Sequence, residues 1–74
     1  MAQHRDNIAI AILAKNVQKY RYQRNLTQEA LANLCGLEYS QISRVERGLL
    51  NTSVSVIFTL AKALEIKPSQ LLEA

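Results

Sequence analysis

Apolar residues recur at three- and four-residue steps through most of this chain, the spacing that lines one face of an α-helix. Ile10, Leu13, Val17 and Tyr20 keep that step and predict one amphipathic helix over residues 8–24. Asn25 and Leu26 end it, and Thr27 is a good N-cap for a second helix over 28–35. Gly36 closes the second helix in the left-handed conformation that glycine adopts without strain. A third helix is predicted over 39–47, stopping at Gly48. The loop LLNTS follows, in which Thr52 or Ser53 can cap a fourth helix reaching residue 64. Pro68, suited to a first helical turn, opens a last short helix through residue 72. Strand alternation never runs beyond a few residues, and there is no repeat or low-complexity tract. The pattern predicts an all-α domain of five short helices over residues 8–74, preceded by an extension over 1–7.

Helices this short are marginal in water and survive by packing together. The predicted core takes Leu13, Val17 and Tyr20 from the first helix and Leu31, Ala32 and Cys35 from the second. Leu26, Leu37, Ile42 and Val45 surround the turn between the second and third, and Val54, Ile57, Leu60, Ala61, Leu64, Ile66, Leu71 and Leu72 complete the set. Cys35, four residues from Leu31, reads as a small buried apolar residue.

Composition narrows the function classes. The chain has 74 residues, of which 49% are hydrophobic, with two glycines and one proline, enough for one modest core. A formal charge of +3 permits a polyanionic partner without requiring one. Cys35 is the only cysteine and His4 the only histidine, so one chain cannot assemble a disulfide framework, a zinc cluster or a cysteine-histidine nucleophile pair. A reducing cytoplasm fits that usage. Paired carboxylates and glycine-rich phosphate loops are also missing, which argues against an enzyme and against a cofactor, metal or small-molecule ligand. The start, MAQHRDN followed by IAIAILA, imitates a secretory signal. Its apolar run over 8–14 is far shorter than the ~18 to 20 residues of a membrane span, and it continues in helical phase, so a membrane partner is not expected.

The third helix carries the informative chemistry. Unrolled at about 100° per residue, Tyr39, Ser40, Ser43, Arg44 and Arg47 fall within an arc of roughly 140°. Ile42, Val45 and Glu46 fall on the other side. One face is thus committed to the core. The outward face offers hydroxyls, an aromatic ring and two guanidiniums but no carboxylate, which suits a groove lined by phosphates and base edges.

The segments TQEALA, CGL and ISRVERG, with RYQRNL before them and SVIFTLAKALEIKPSQLL after, closely resemble the helix-turn-helix of the phage repressor and Cro family. That family includes many small regulators of xenobiotic-response-element type, and the resemblance covers nearly the whole chain. It implies a repressor-like fold whose helices 2 and 3 form the helix-turn-helix. Stand-alone chains of this size resemble restriction-modification controllers, compact phage repressors and orphan regulators. The resemblance also assigns work to the polar positions. Gln28 and the start of the second helix would grip a phosphate, or Gln28 would be a plain first-turn residue. Tyr39, Ser40 and Arg44 would reach base edges, Arg44 by a fork on guanine O6 and N7 that discriminates by about 1 to 3 kcal/mol. Ser43 and Arg47 would contact phosphates, or Arg47 would be a solvated residue favoured by the helix dipole. Gln41 points sideways and has no assigned role.

Arg21 and Glu46 stand where the family commonly forms a partly buried ion pair, a device for orientation more than for net stability. Glu38 departs from the preferred caps and would serve the helix dipole or accept from a cytosine amino group. Leu49 and Leu50 stand where many relatives carry lysine or arginine, so fewer phosphate contacts are expected. Asn51, Ser53 and Ser55 could donate to the backbone instead. A module this small usually pairs two recognition helices one DNA turn apart. Ile66, Pro68, Gln70 and Leu71 are the expected homodimer surface, with Phe58 and Val56 as additions, unless they only close the monomer core. The function implied is a homodimeric transcriptional regulator on a palindromic operator in double-stranded DNA. The alternative is an antitoxin or other protein-binding module with secondary DNA binding.

Overall fold

Helix starts are fixed by side chains that accept from the free amides of a first turn. In the computed structural model, which describes residues 4–74, Asp6 Oδ1 accepts from the amides of Ile8 and Ala9, each at 3.0 Å, and starts α1, Asn7–Gln23. Thr27 Oγ1 accepts from Ala30 N at 3.0 Å and starts α2, Gln28–Cys35. Ser53 Oγ accepts from Val56 N at 3.2 Å and starts α4, Val54–Leu64. At α3, Tyr39–Glu46, the device is reversed: the Glu38 amide donates to Gln41 Oε1 at 3.1 Å, the reciprocal half of a capping box. That is the role of Gln41. The predicted extension over 1–7 is cut by this start of α1 at Asn7, and its first three residues lie outside the described ones.

Gly36, at φ +67°, and Gly48, at φ +70°, stop α2 and α3 in the left-handed region. Leu49 N then closes α3 by donating to the Arg44 carbonyl at 2.9 Å. Among the described residues there are therefore four α-helices, and the expected fifth is a 3-10 helix, Pro68–Leu72. Five residues rarely sustain α-helical bonding, and here side chains take up the backbone groups. Gln70 Oε1 accepts from Lys67 N at 2.9 Å, and Asn16 Nδ2 donates to the carbonyls of Leu71 at 2.9 Å and Glu73 at 2.8 Å. Among the described residues there is no strand.

The core joins Leu13 and Val17 of α1, Leu31 and Ala32 of α2, Ile42 and Val45 of α3, and Leu60, Ala61 and Leu64 of α4 to Leu71. Tyr20, Leu26, Cys35, Leu37, Ile57 and Ile66 pack around it, half-buried. Two expected members face out instead, Val54 at 69% exposed and Leu72 at 56%. Val54 is the first residue of α4, beyond the reach of its neighbours. Leu72 follows Leu71 in a helix of three residues per turn, where adjacent side chains diverge by about 120° and only one can face inward. Leu50, Val56 and Ala63 pack against the core as well. No buried side-chain nitrogen or oxygen among the described residues lacks a partner.

Candidate nucleic-acid interface

Packing fixes which side of α3 is presented. Ile42, Val45 and Glu46 are 0%, 2% and 5% exposed, whereas Tyr39, Ser40, Arg44 and Arg47 are exposed and Ser43 is half-buried. Arg47 Nε folds back to the Ser43 carbonyl at 3.3 Å. Among the described residues no carboxylate pairs with either guanidinium.

The carboxylate of α3 is neutralised from behind. Arg21 of α1 donates twice to Glu46, Nε to Oε2 at 2.6 Å and Nη2 to Oε1 at 2.8 Å, and its Nη1 donates to the Leu26 carbonyl at 2.8 Å. The hydrogen bonds to Glu46 raise the guanidinium above its ordinary pKa, outweighing the burial that lowers it. Gln28 Nε2 adds a third bond to Glu46, at 3.0 Å to Oε1, and Gln18 Nε2 holds the Glu46 backbone carbonyl at 2.6 Å. The Tyr22 ring lies 4.4 Å from the Arg21 guanidinium carbon, a cation–π contact. The outward side of α3 is left cationic. Gln28, expected at a phosphate, spends one amide hydrogen on Glu46 and keeps the second. The sequence reading missed Gln18, which lies one turn before Arg21 on the same side of α1, a spacing that marks its side of the helix but not its partner.

Around this side, Asn51 Nδ2 donates to the His4 carbonyl at 3.1 Å, which occupies one of its two donors. Ser55 is exposed in the first turn of α4, and Ser53 Oγ is taken by its cap. The residues expected at a homodimer surface divide. Ile66 and Pro68 line an open groove with Phe58, Thr59, Ala61 and Lys62, and Phe58 is 58% exposed. Leu71, at 0% exposed, belongs to the monomer core and is not offered to a partner, because its side chain fills the space between α1 and α4. Gln70 turns inward, with Nε2 3.4 Å from Tyr20 Oη. Cys35 is half-buried, and burial pushes its thiol up, which disfavours the reactive thiolate. No cluster of His, Cys, Asp and Glu able to hold a metal occurs among the described residues.

Comparison with known proteins adds four similarities to this geometry. Residues 17–71 match the model of the helix-turn-helix family. Over 61 residues the chain is 46% identical to the control protein C.SmaI of Serratia marcescens, covering 82% of this chain and 73% of that protein. The crystal structure of the hypothetical transcription factor NHTF from Neisseria superposes with a TM-score of 0.87 at 36% identity, over 99% of this chain and 85% of that one. The restriction-modification controller protein C.AhdI from Aeromonas hydrophila superposes with a TM-score of 0.81 at 39% identity, over 84% of this chain and 94% of that one.

Proposed function

The chain belongs to the helix-turn-helix family of repressor and Cro type, whose members are DNA-binding transcription regulators, and on that premise we propose that it reads a palindromic operator as a two-fold homodimer. The observation that carries this reading is the outward side of α3, exposed and free of carboxylate while Glu46 is neutralised behind it. In the major groove that side would direct Tyr39, Ser40 and Arg44 at base edges and Ser43 and Arg47 at phosphates. Gln28, through its second amide hydrogen, and Asn51 and Ser55 would hold the backbone on either flank. By its similarity to controllers of restriction-modification systems, the regulated genes are of that kind, in the cytoplasm. No helix among the described residues is long and apolar enough to cross a membrane.

Pairing is assigned to the groove of Phe58, Ile66 and Pro68, with Leu71 supporting it from beneath. A selection of bound fragments from random duplex DNA should enrich one palindrome with half-site centres about 10 bp apart. Sedimentation on that duplex should give two protomers, and Ile66→Asp should give monomers that stay helical and bind weakly. One protomer per duplex at saturation, on a site lacking symmetry, would overturn the homodimer.

A further inference from the structure

The segment LLNTS between α3 and α4 carries no charge, although it runs directly on from Gly48 at the end of α3. The fold brings a charge to it from the other end of the chain. Arg5 Nη2 donates to the Leu49 carbonyl at 3.4 Å across 44 residues of sequence, and the His4 carbonyl beside it accepts from Asn51 at 3.1 Å. Arg5 Nε donates to Asn7 Oδ1 at 3.0 Å, which orients the guanidinium from the first turn of α1. Leu49 is the residue whose amide closes α3 on Arg44. A guanidinium on its carbonyl therefore stands at the end of the helix that presents Arg44 and Arg47. The neighbouring carboxylate, Asp6, is engaged by the amides of Ile8 and Ala9.

We propose that Arg5 contacts the phosphodiester backbone of the bound duplex, supplying from the N-terminal segment the positive charge that the loop after α3 lacks. The inference rests on α3 being the DNA-facing helix. A guanidinium has five N–H donors in a rigid fork, and among the described residues protein oxygens hold two of these on Arg5. The side chain is exposed, so the others are free for phosphate oxygens. Asn51 is correspondingly a strap, fixing the segment that carries Arg5 as much as touching DNA itself.

The test is the salt dependence of binding to a selected duplex, read beside the melting temperature of each free protein. Arg5→Ala should lower the slope of log K against log salt by about 0.9 per protomer and leave the fold intact. Arg5→Lys, which keeps the charge, should keep the slope. Adding Leu49→Lys to Arg5→Ala should restore it, because position 49 is 55% exposed and returns a cation to the same place. An unchanged slope in Arg5→Ala, with the wild type binding tightly, would overturn the phosphate contact and leave the reading of α3 standing. A wild-type protein that binds no duplex would instead overturn that reading itself.

Discussion

Arg44 and Arg47 lie three residues apart on α3, but they are not equally free. Arg47 is the C-cap and its Nε is bonded to its own helix, whereas Arg44 projects from the exposed middle of that side. Under the proposed function, Arg44→Ala should relax preference at one position in each half-site. Arg47→Ala should weaken all sequences alike and lower the salt slope by roughly one unit per protomer. Binding to a panel of operator variants at two salt concentrations separates these outcomes, and equal losses of specificity would show that the roles are misassigned. Behind them, Arg21 and Glu46 are buried and doubly bonded. Replacing either by Met should cost about 3 kcal/mol, by stranding a charge that the remaining carbonyl or amide partner cannot neutralise. The double replacement should cost less than the sum of the two. Urea melts of the four proteins measure this cycle, and additive losses would mean that the pair contributes no coupling. The two charges were legible from the sequence through the helical wheel and the family resemblance. The amide contacts of Gln18 and Gln28 to Glu46 were not, because a neutral amide has no partner that spacing alone selects.

At the scale of elements, the sequence located α2 at both ends and the others to within one or two residues, because caps act locally. Thr27, Gly36, Gly48, Ser53 and Pro68 each stop or start a segment through groups within three residues of themselves. What lay outside its reach was set by tertiary partners. The last helix is too short for α-helical bonding, and Asn16, far away in sequence, takes the carbonyl of Leu71 within it and that of Glu73 beyond it. Val54 is exposed because α4 begins there, and Leu72 because its neighbour Leu71 takes the inward position. One terminus breaks its own local rule. Glu65 closes α4 at φ +57° without being glycine, and the left-handed region costs an L-residue roughly 1 to 2 kcal/mol. Its ion pair with Arg24 is between side chains 67% and 41% exposed, where such pairs contribute little. Glu65→Gly should raise the stability by about 0.5 to 1 kcal/mol after the entropy of glycine is subtracted. In a thermal melt followed by circular dichroism, that is a rise of about 2 to 8 °C. A fall would show that the Arg24 pair outweighs the strain.

As a whole the protein measures 38 × 24 × 19 Å, so its longest dimension matches about one turn of duplex, ~34 Å. Its α3, of eight residues, is only about 12 Å long, a third of that turn. Under the proposed function the remainder would come from a second copy, which is the whole-molecule argument for pairing. Under the proposed function that pairing surface includes Pro68 of the 3-10 helix, which Leu71 anchors in the core and one side chain of α1 ties by hydrogen bonds. Asn16 reaches the carbonyls of Leu71 and Glu73 across 55 and 57 residues, a closure that local helix formation does nothing to bring about. Contacts of such separation form late in folding, so Asn16→Ala should leave the folding arm of a chevron in place and raise the unfolding arm about 5- to 30-fold. Slowed folding with unchanged unfolding would put the amide in the nucleus instead. If the tie does form last, it is also first to open. The lifetime of a dimer seated on Pro68 would then be limited by how often one asparagine in the middle of α1 lets go.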